Sequence, residues 1–191
     1  MNPSQKNAVK RNLRDAFEDV EGDLLREAER INEALETTKK DLPSANTVTS
    51  LNDLDIPDEP STRAVGSKRR DLLRDKRDTV IGDFNKKFVT IGREEIQDAN
   101  TLPQLDRVDR RTAEPDVLTS SSKGQLTKEI RRQDLRIEGR RFTGPQLISR
   151  NIETADELEE DFFLDSGTAQ RVINLRLRTL EAEARQSGET S

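Results

Sequence analysis

Arginine side chains are grouped in this sequence in a way that could bind phosphate groups or carboxylates. A guanidinium group is planar and donates several hydrogen bonds in a fixed fork, which fits both kinds of anion. One group of three shares a face of a predicted helix, and a group of five follows later in the chain. The members of the two groups are Arg70, Arg74 and Arg77, and then Arg131, Arg132, Arg136, Arg140 and Arg141.

Two uses of these arginine groups are open, namely phosphate contact and pairing with an acidic protein surface. Aspartates and glutamates are interleaved with both groups, and the chain contains no Trp or Tyr on which bases could stack. The net charge is −5, so the chain as a whole does not attract nucleic acid. Contact with a nucleic-acid backbone is therefore the secondary interpretation, and an acidic protein partner is the favoured one.

Carboxylates are concentrated between residues 153 and 165, where no basic residue interrupts them. The seven acids of this segment are Glu153, Asp156, Glu157, Glu159, Glu160, Asp161 and Asp165. We expect this acidic partner surface to meet the arginine groups, in the same or a neighbouring subunit. Charge pairs at the rim of an interface set its register more than its affinity.

The absence of His and Cys removes most catalytic and metal-binding arrangements. Serine or cysteine nucleophiles activated by His cannot be built, and neither can the usual zinc sites. Carboxylate pairs are plentiful, but a chain with 38 acids supplies such pairs by chance. We therefore predict no catalytic residue, no metal site and no cofactor. An enzyme that used only carboxylates would need a pocket lined by them, with perturbed pKa values.

The composition predicts a small hydrophobic core and a dependence on partners. Apolar residues make up 30% of the chain, which is below the average for a globular protein, and charged residues make up 37%, which is above it. No apolar run is long enough to span a bilayer, so no membrane contact is expected. The polar start lacks the apolar stretch of a signal peptide. We expect a cytoplasmic protein, or one within a virus particle assembled there.

One long amphipathic helix is predicted over residues 1–41, and it is the main predicted element of the chain. Its apolar residues recur in steps of four, four and three, which is an 11-residue repeat close to the period of a straight helix. We interpret this stripe as an interface seam. Its members are Val9, Leu13, Phe17, Val20, Leu24, Ala28, Ile31 and Leu35.

The rest of the chain is predicted to alternate between helices and long connections. The predicted segments are an extended linker or arm at 42–66, a second helix at 67–99, a loop at 100–122 and a C-terminal helical region at 123–191. A short β element near 135–142 is an alternative, because Leu135, Ile137 and Gly139 alternate with charged residues. Thr154 and Glu157 have the spacing of a helix capping box. The predicted fold class is all-α, an elongated helical bundle or coiled-coil-like hairpin with extended arms.

These features favour a non-enzymatic structural or assembly protein, a helical subunit of a larger oligomer. The expected partners are further copies of the chain or other structural proteins of the same assembly. A virus-particle component such as a head–tail connector, adaptor or scaffold protein is the narrower prediction, and it rests on analogy of architecture. The alternative is a nucleic-acid-associated protein that contacts the phosphate backbone through its arginine groups.

Overall fold

A computed structural model describes residues 2–60 and 66–189, and every regular element within these ranges is helical. The chain divides into two compact units, Met1–Phe88 and Val89–Ser191, and the boundary falls inside one helix. The predicted all-α class is confirmed. The helices are α1 (Pro3–Asp41), α2 (Val48–Asn52), α3 (Ser67–Asp98), α4 (Leu102–Thr112), α5 (Ser120–Arg140), α6 (Gly144–Ser149), α7 (Ala155–Asp161) and α8 (Ser166–Glu189), with a 3-10 turn at Leu42–Ser44.

Helix α1 begins and ends where its sequence signals lie. The Asn2 side chain accepts a hydrogen bond from the Ser4 amide at 2.8 Å, and the Gln5 side chain accepts one from the Asn2 amide at 3.1 Å. Pro3 occupies the first turn, where its missing N–H costs nothing. Lys39 and Lys40 lie in the last turn, where positive charge is favourable. The predicted long first helix is thus confirmed.

In the first unit, α1 and α3 run in the same direction. Lys76 of α3 donates to the Asn32 side chain at 2.8 Å and forms an ion pair with Glu36. Further along both helices, the Lys87 ammonium donates to the Leu42 carbonyl at 2.7 Å. Residue numbers thus increase together in the two helices. The contacting residues differ in number by about 40–45. A hairpin requires antiparallel helices, so α1 and α3 do not form one.

Segment 42–66, predicted as an extended arm, instead supplies part of the core of the first unit. It contains the 3-10 turn and α2, whose Val48 and Leu51 are fully buried. Thr47 and Ser50 form a capping box at the start of α2. Residues 53–60 have no regular structure but are tied down, since Thr38 of α1 donates to the Asp55 carbonyl. Residues 61–65 of the predicted linker lie outside the described part.

The second unit repeats the parallel arrangement with the end of α3 and with α5. Arg93 donates to the Gln125 side chain at 3.2 Å, and Gln97 donates to Glu129 at 3.1 Å. Gly92 allows this approach, because a Cβ atom there would lie 2.8 Å from a Leu126 methyl group. The lack of a side chain at Gly92 thus serves the packing of α3 against α5.

The predicted loop at 100–122 is wrong, because it contains helix α4. Thr101 caps this helix, its hydroxyl accepting a hydrogen bond from the Gln104 amide at 3.3 Å. Pro103 lies in the first turn, where proline is tolerated. Leu105 is buried where α4 packs on α5. Residues 113–119 form the connection to α5.

The alternative β element at 135–142 is also wrong, because α5 continues through Arg140. Ile137 and Gly139 are buried and Leu135 is half-buried, since this end of α5 is packed on more than one side. Beyond it, α6 and α7 pack against α8 around a compact hydrophobic cluster. That cluster consists of Phe142, Leu147, Ile152, Leu158, Leu164, Ala169, Val172 and Ile173.

Candidate interaction surfaces

The seam of α1 is divided into a buried half and an exposed half. Ala28, Ile31 and Leu35 are buried in a cluster with Leu73 and Val80 of α3, and Leu24 is half-buried. The other four members face solvent, and we call them the exposed seam. They are Val9, Leu13, Phe17 and Val20, with 46%, 55%, 73% and 55% of their surface exposed. The same 11-residue pattern therefore serves an internal contact over one half only.

The charges beside the exposed seam fall into two blocks. The basic block is Lys6, Lys10, Arg11 and Arg14, and the acidic block is Asp15, Glu18, Asp19, Glu21 and Asp23. No acid lies within the first block and no base within the second. The two blocks can be seen in the sequence, but the sequence analysis did not identify them. Their importance depends on the exposure of this half of α1, which only the structure shows.

The first arginine group holds residues 57–60 against α3. Arg77 Nε donates to the Pro57 carbonyl at 2.7 Å, and its Nη1 lies 4.0 Å from a Glu59 carboxylate oxygen. Arg74 reaches the same carboxylate at 3.8 Å, whereas Arg70 lies 3.8 Å from its neighbour Asp71. The structure thus gives Arg74 and Arg77 an acidic partner within the chain. The arginines of this group do share a face, as the spacing predicts.

The second arginine group is directed partly at the loop between α7 and α8. Arg136 Nε donates to the Phe163 carbonyl at 2.8 Å, and the Arg132 guanidinium lies 4.8 Å from the centre of the Phe163 ring. Phe163 has a backbone φ of 54°, a left-handed conformation that costs a bulky residue about 1–2 kcal/mol. The two arginines hold this strained residue. Arg140 donates instead to Asn100 at 3.4 Å, and Arg131 and Arg141 are exposed.

The acidic segment and the second arginine group are close to each other. Arg140 attracts the Asp165 carboxylate electrostatically, whereas Arg132 and Arg136 contact uncharged groups of the segment. Arg132 and Arg136 contact a ring and a carbonyl of the segment, and Glu153 lies 3.6 Å from Arg176 of α8, an arginine that the sequence analysis did not single out. Asp156 lies in the first turn of α7, where its charge is favourable. The half-buried Glu159 and the exposed Glu160 and Asp161 complete the segment.

Two acids of this segment begin helices, and their pKa values are lowered for that reason. Glu157 accepts hydrogen bonds from the amides of Glu153 at 2.6 Å and Thr154 at 3.0 Å, and these bonds lower its pKa. The predicted Thr154–Glu157 capping box is confirmed. Asp165 accepts from the Thr168 hydroxyl and amide at the start of α8, and both bonds lower its pKa. In these contacts the two carboxylates act as structural acceptors.

The exposed part of α8 is a second uncovered apolar surface. Leu177 and Leu180 are 51% and 37% exposed, although Ala169 and Ile173 on the preceding turns are buried. As in α1, the apolar pattern therefore continues beyond the residues that pack inside the unit. Its shorter exposed stripe makes it the lesser of the two surfaces.

Charged side chains of both signs line concave surfaces in each of the two units. A concavity of about 510 Å³ in the first unit is lined by three lysines and one acid, Lys39, Lys76, Lys87 and Asp83, together with apolar groups. Lys76 and Lys87 already contact α1 and the turn that follows it. Across the same described ranges there is no group of three or more His, Cys, Asp or Glu that could hold a metal ion. None of the described helices has the length and apolar content needed to cross a bilayer.

The comparisons with known proteins provide no relative, since the chain gives no significant match to a protein-family model, a curated protein or a solved structure.

Proposed function

We propose that this chain is a structural subunit that joins an assembly through the exposed seam of α1. The observation that carries the proposal is the placement of four large apolar side chains, Val9, Leu13, Phe17 and Val20, in solvent along one helix face. Each would contribute about 1.5–3 kcal/mol if it were fully removed from water. A contiguous stripe of this kind, bordered by charged residues, is typical of a protein–protein interaction site.

The continuity of α1 between its exposed half and its buried half also supports the proposal. The residues of the seam after Leu24 pack inside the first unit, so the exposed half extends from an anchored half of one continuous helix. The 11-residue spacing of the apolar residues is the same on both sides of this point. A pattern that is buried by α3 in one half is suited to burial by a similar helix in the other.

The narrower form of the proposal is a connector, adaptor or scaffold protein of a virus particle, and it rests on analogy of architecture alone. We do not put forward nucleic-acid binding as a second function. Five of the eight arginines on which that prediction depends contact other parts of the same unit, and they are Arg74, Arg77, Arg132, Arg136 and Arg140.

Substitution of Phe17 by Asp tests the proposal. Phe17 is the most exposed member of the seam, so the change should leave the fold and its helical circular dichroism intact, whereas it places an unpaired charge in the contact. We expect association to weaken by about tenfold or more, which is 1.4 kcal/mol or more. Light scattering after gel filtration measures the mass of the purified chain, and quantitative mass spectrometry measures what co-purifies with the tagged chain from its source cells.

Thr37→Asp is the matched control. It adds the same charge to the same helix, at an exposed position away from the seam and outside both charge blocks. We expect it to behave like the original sequence in both assays. If Phe17→Asp changes neither the mass nor the set of co-purifying proteins, the exposed seam is not an assembly surface and the proposal is wrong.

A further inference from the structure

The charge blocks beside the exposed seam indicate what kind of helix can cover it. The basic block, residues 6–14, carries four positive charges, and the acidic block, residues 15–23, carries five negative charges. A covering helix must therefore be acidic where it meets the first block and basic where it meets the second. The same helix from another copy of this chain has that distribution when it runs in the opposite direction.

We infer that the exposed half of α1 pairs with the same segment of a second copy in antiparallel orientation. The inference rests on the proposed function and deepens it by naming the partner. The geometry is symmetric about a point between Arg14 and Asp15, so that residue i lies level with residue 29 − i of the other copy. In this register Val9 lies level with Val20, and Leu13 lies within one residue of the level of Phe17.

The same register places every base of the block level with an acid of the second copy. In each pair the two residue numbers add up to 29. The four pairs are Lys6 with Asp23, Lys10 with Asp19, Arg11 with Glu18, and Arg14 with Asp15. Not all of these side chains border the seam. At 3.6 residues per turn, Lys10 and Glu21 lie along the same edge of it, and Lys6 reaches the seam near Asp23 of the second copy. These are the charges that meet directly, and the others act at longer range.

A parallel pair would oppose its own charges. Lys6, Lys10, Arg11 and Arg14 would lie beside the same residues of the second copy, and the five acids would lie beside five acids. Like charges that face each other across an interface disfavour that arrangement. Within the helix, Arg14 contacts Glu18 at 4.0 Å and Arg26 contacts Asp23 at 3.3 Å, which are exposed pairs that leave most of both blocks available.

The length of the exposed half fits the register. Ala28 is the first buried residue of α1, and Glu27 before it would lie level with Asn2 of the second copy. The two exposed halves therefore overlap over their whole length, about 40 Å, before either buried half is reached. The 11-residue repeat keeps the seam on one side of a nearly straight helix over this distance.

Disulfide formation between introduced cysteines tests the inference, because the chain contains no cysteine of its own. Val9→Cys and Val20→Cys are made as separate full-length variants, then oxidised alone and as an equal mixture. In the antiparallel register, position 9 of one copy lies level with position 20 of the other. Two copies of position 9 lie eleven residues apart, about 16 Å, which is too far for a disulfide. We expect the mixture to give a covalent dimer that joins the two variants, and each variant alone to give none.

Arg11→Cys mixed with Glu18→Cys is the matched control, because these positions are level in the same register but lie away from the seam. We expect no covalent dimer from this mixture. Salt provides a second readout on the original sequence, since screening weakens attraction between opposite charges. Dimer mass measured by light scattering should fall as the salt concentration rises.

Two results would overturn the inference, and neither is confused with failure of the proposed function. Covalent dimers from Val9→Cys alone and Val20→Cys alone would show a parallel pair. A monomeric mass at high micromolar concentration, with no covalent dimer from the mixture, would show that the partner is a different protein. In that second case the proposed function still depends on whether Phe17→Asp removes a co-purifying protein, which is a separate measurement.

Discussion

At the scale of single residues, Gln133 is a buried polar group that joins α5 to the end of α3. Its amide nitrogen donates to the Gln97 carbonyl at 3.2 Å and to the Ala99 carbonyl at 2.6 Å, at and just beyond the end of α3. Its amide oxygen accepts from Arg136 at 3.0 Å. One side chain of α5 thus satisfies carbonyl groups that the end of a helix leaves without partners, and it connects them to the arginine that holds Phe163.

We predict that Gln133→Leu lowers the free energy of unfolding by about 1–3 kcal/mol, because it leaves buried carbonyl groups without donors. Urea unfolding followed by circular dichroism measures the change. Lys128→Leu is the control, since it introduces the same leucine at an exposed position of α5. Its effect should stay within about 0.5 kcal/mol. Equal effects at the two positions would contradict the role given to Gln133.

Two glycines should respond to alanine with opposite signs. A Cβ atom at Gly144 would lie 2.6 Å from the Leu175 carbonyl oxygen and would overlap the Thr179 hydroxyl, whereas one at Gly82 meets nothing within 4 Å. We expect Gly144→Ala to destabilise the chain by about 1–3 kcal/mol through overpacking of α6 against α8. Gly82→Ala should stabilise it by up to about 1 kcal/mol, because alanine favours the helix. Thermal unfolding measures both, and a shift of the same sign in both would contradict the packing described at Gly144.

At the scale of elements, the helix starts make part of the stability depend on pH. The pKa values of Glu157 and Asp165 are lowered by hydrogen bonds at the starts of α7 and α8, and that of Glu36 is lowered by its hydrogen bond and ion pair with Lys76. A carboxyl group with a lower pKa in the folded chain binds protons more tightly when unfolded. Its contribution is complete above the ordinary values of 4.5 for Glu and 3.8 for Asp, and it is lost as the pH falls through the folded-state pKa.

We therefore predict that the melting temperature falls between pH 5 and pH 3 and that Glu157→Gln makes this fall smaller. The glutamine oxygen can still accept from the Thr154 amide, so the capping box persists while its titration is removed. Circular dichroism at a series of pH values measures the effect. A pH profile for Glu157→Gln that follows the original sequence throughout would show that this carboxylate does not contribute to acid sensitivity.

The elements that could be predicted from the sequence are those with clear local signals. The long first helix has a cap, a regular apolar repeat and lysines at its end, and α7 has its capping box, so these were found. Helix α4 was missed, although Thr101 and Pro103 have the spacing of a cap followed by proline in the first turn. Helix α2 was missed because five residues are too few for a periodic pattern, and its burial depends on contacts with distant parts of the first unit.

At the scale of the whole molecule, the sequence could predict a helical chain with little core, but not the direction in which its helices run. The seam pattern is the same in its buried and exposed halves, so no local signal shows that Leu35 is buried and Phe17 is not. The parallel pairing of α1 with α3 depends on contacts of Lys76 and Lys87 with residues more than 35 positions away. The same limit applies to the arginine groups. The sequence shows the arginines, but it does not show their distant partners, such as the Pro57 and Phe163 carbonyls.

The parallel pairing of α1 and α3 has a consequence for the order in which the chain is synthesised. Within their shared cluster, Leu73 comes 45 residues after Ala28 in the chain, and Val80 comes 45 residues after Leu35. At about 5–20 residues per second, a ribosome needs about 2–9 s to make that stretch. During this interval the entire apolar stripe of α1 has left the ribosome or is leaving it without α3 to cover any part of it. A nascent α1 is therefore able to meet the same segment of a neighbouring nascent chain before its own unit has closed.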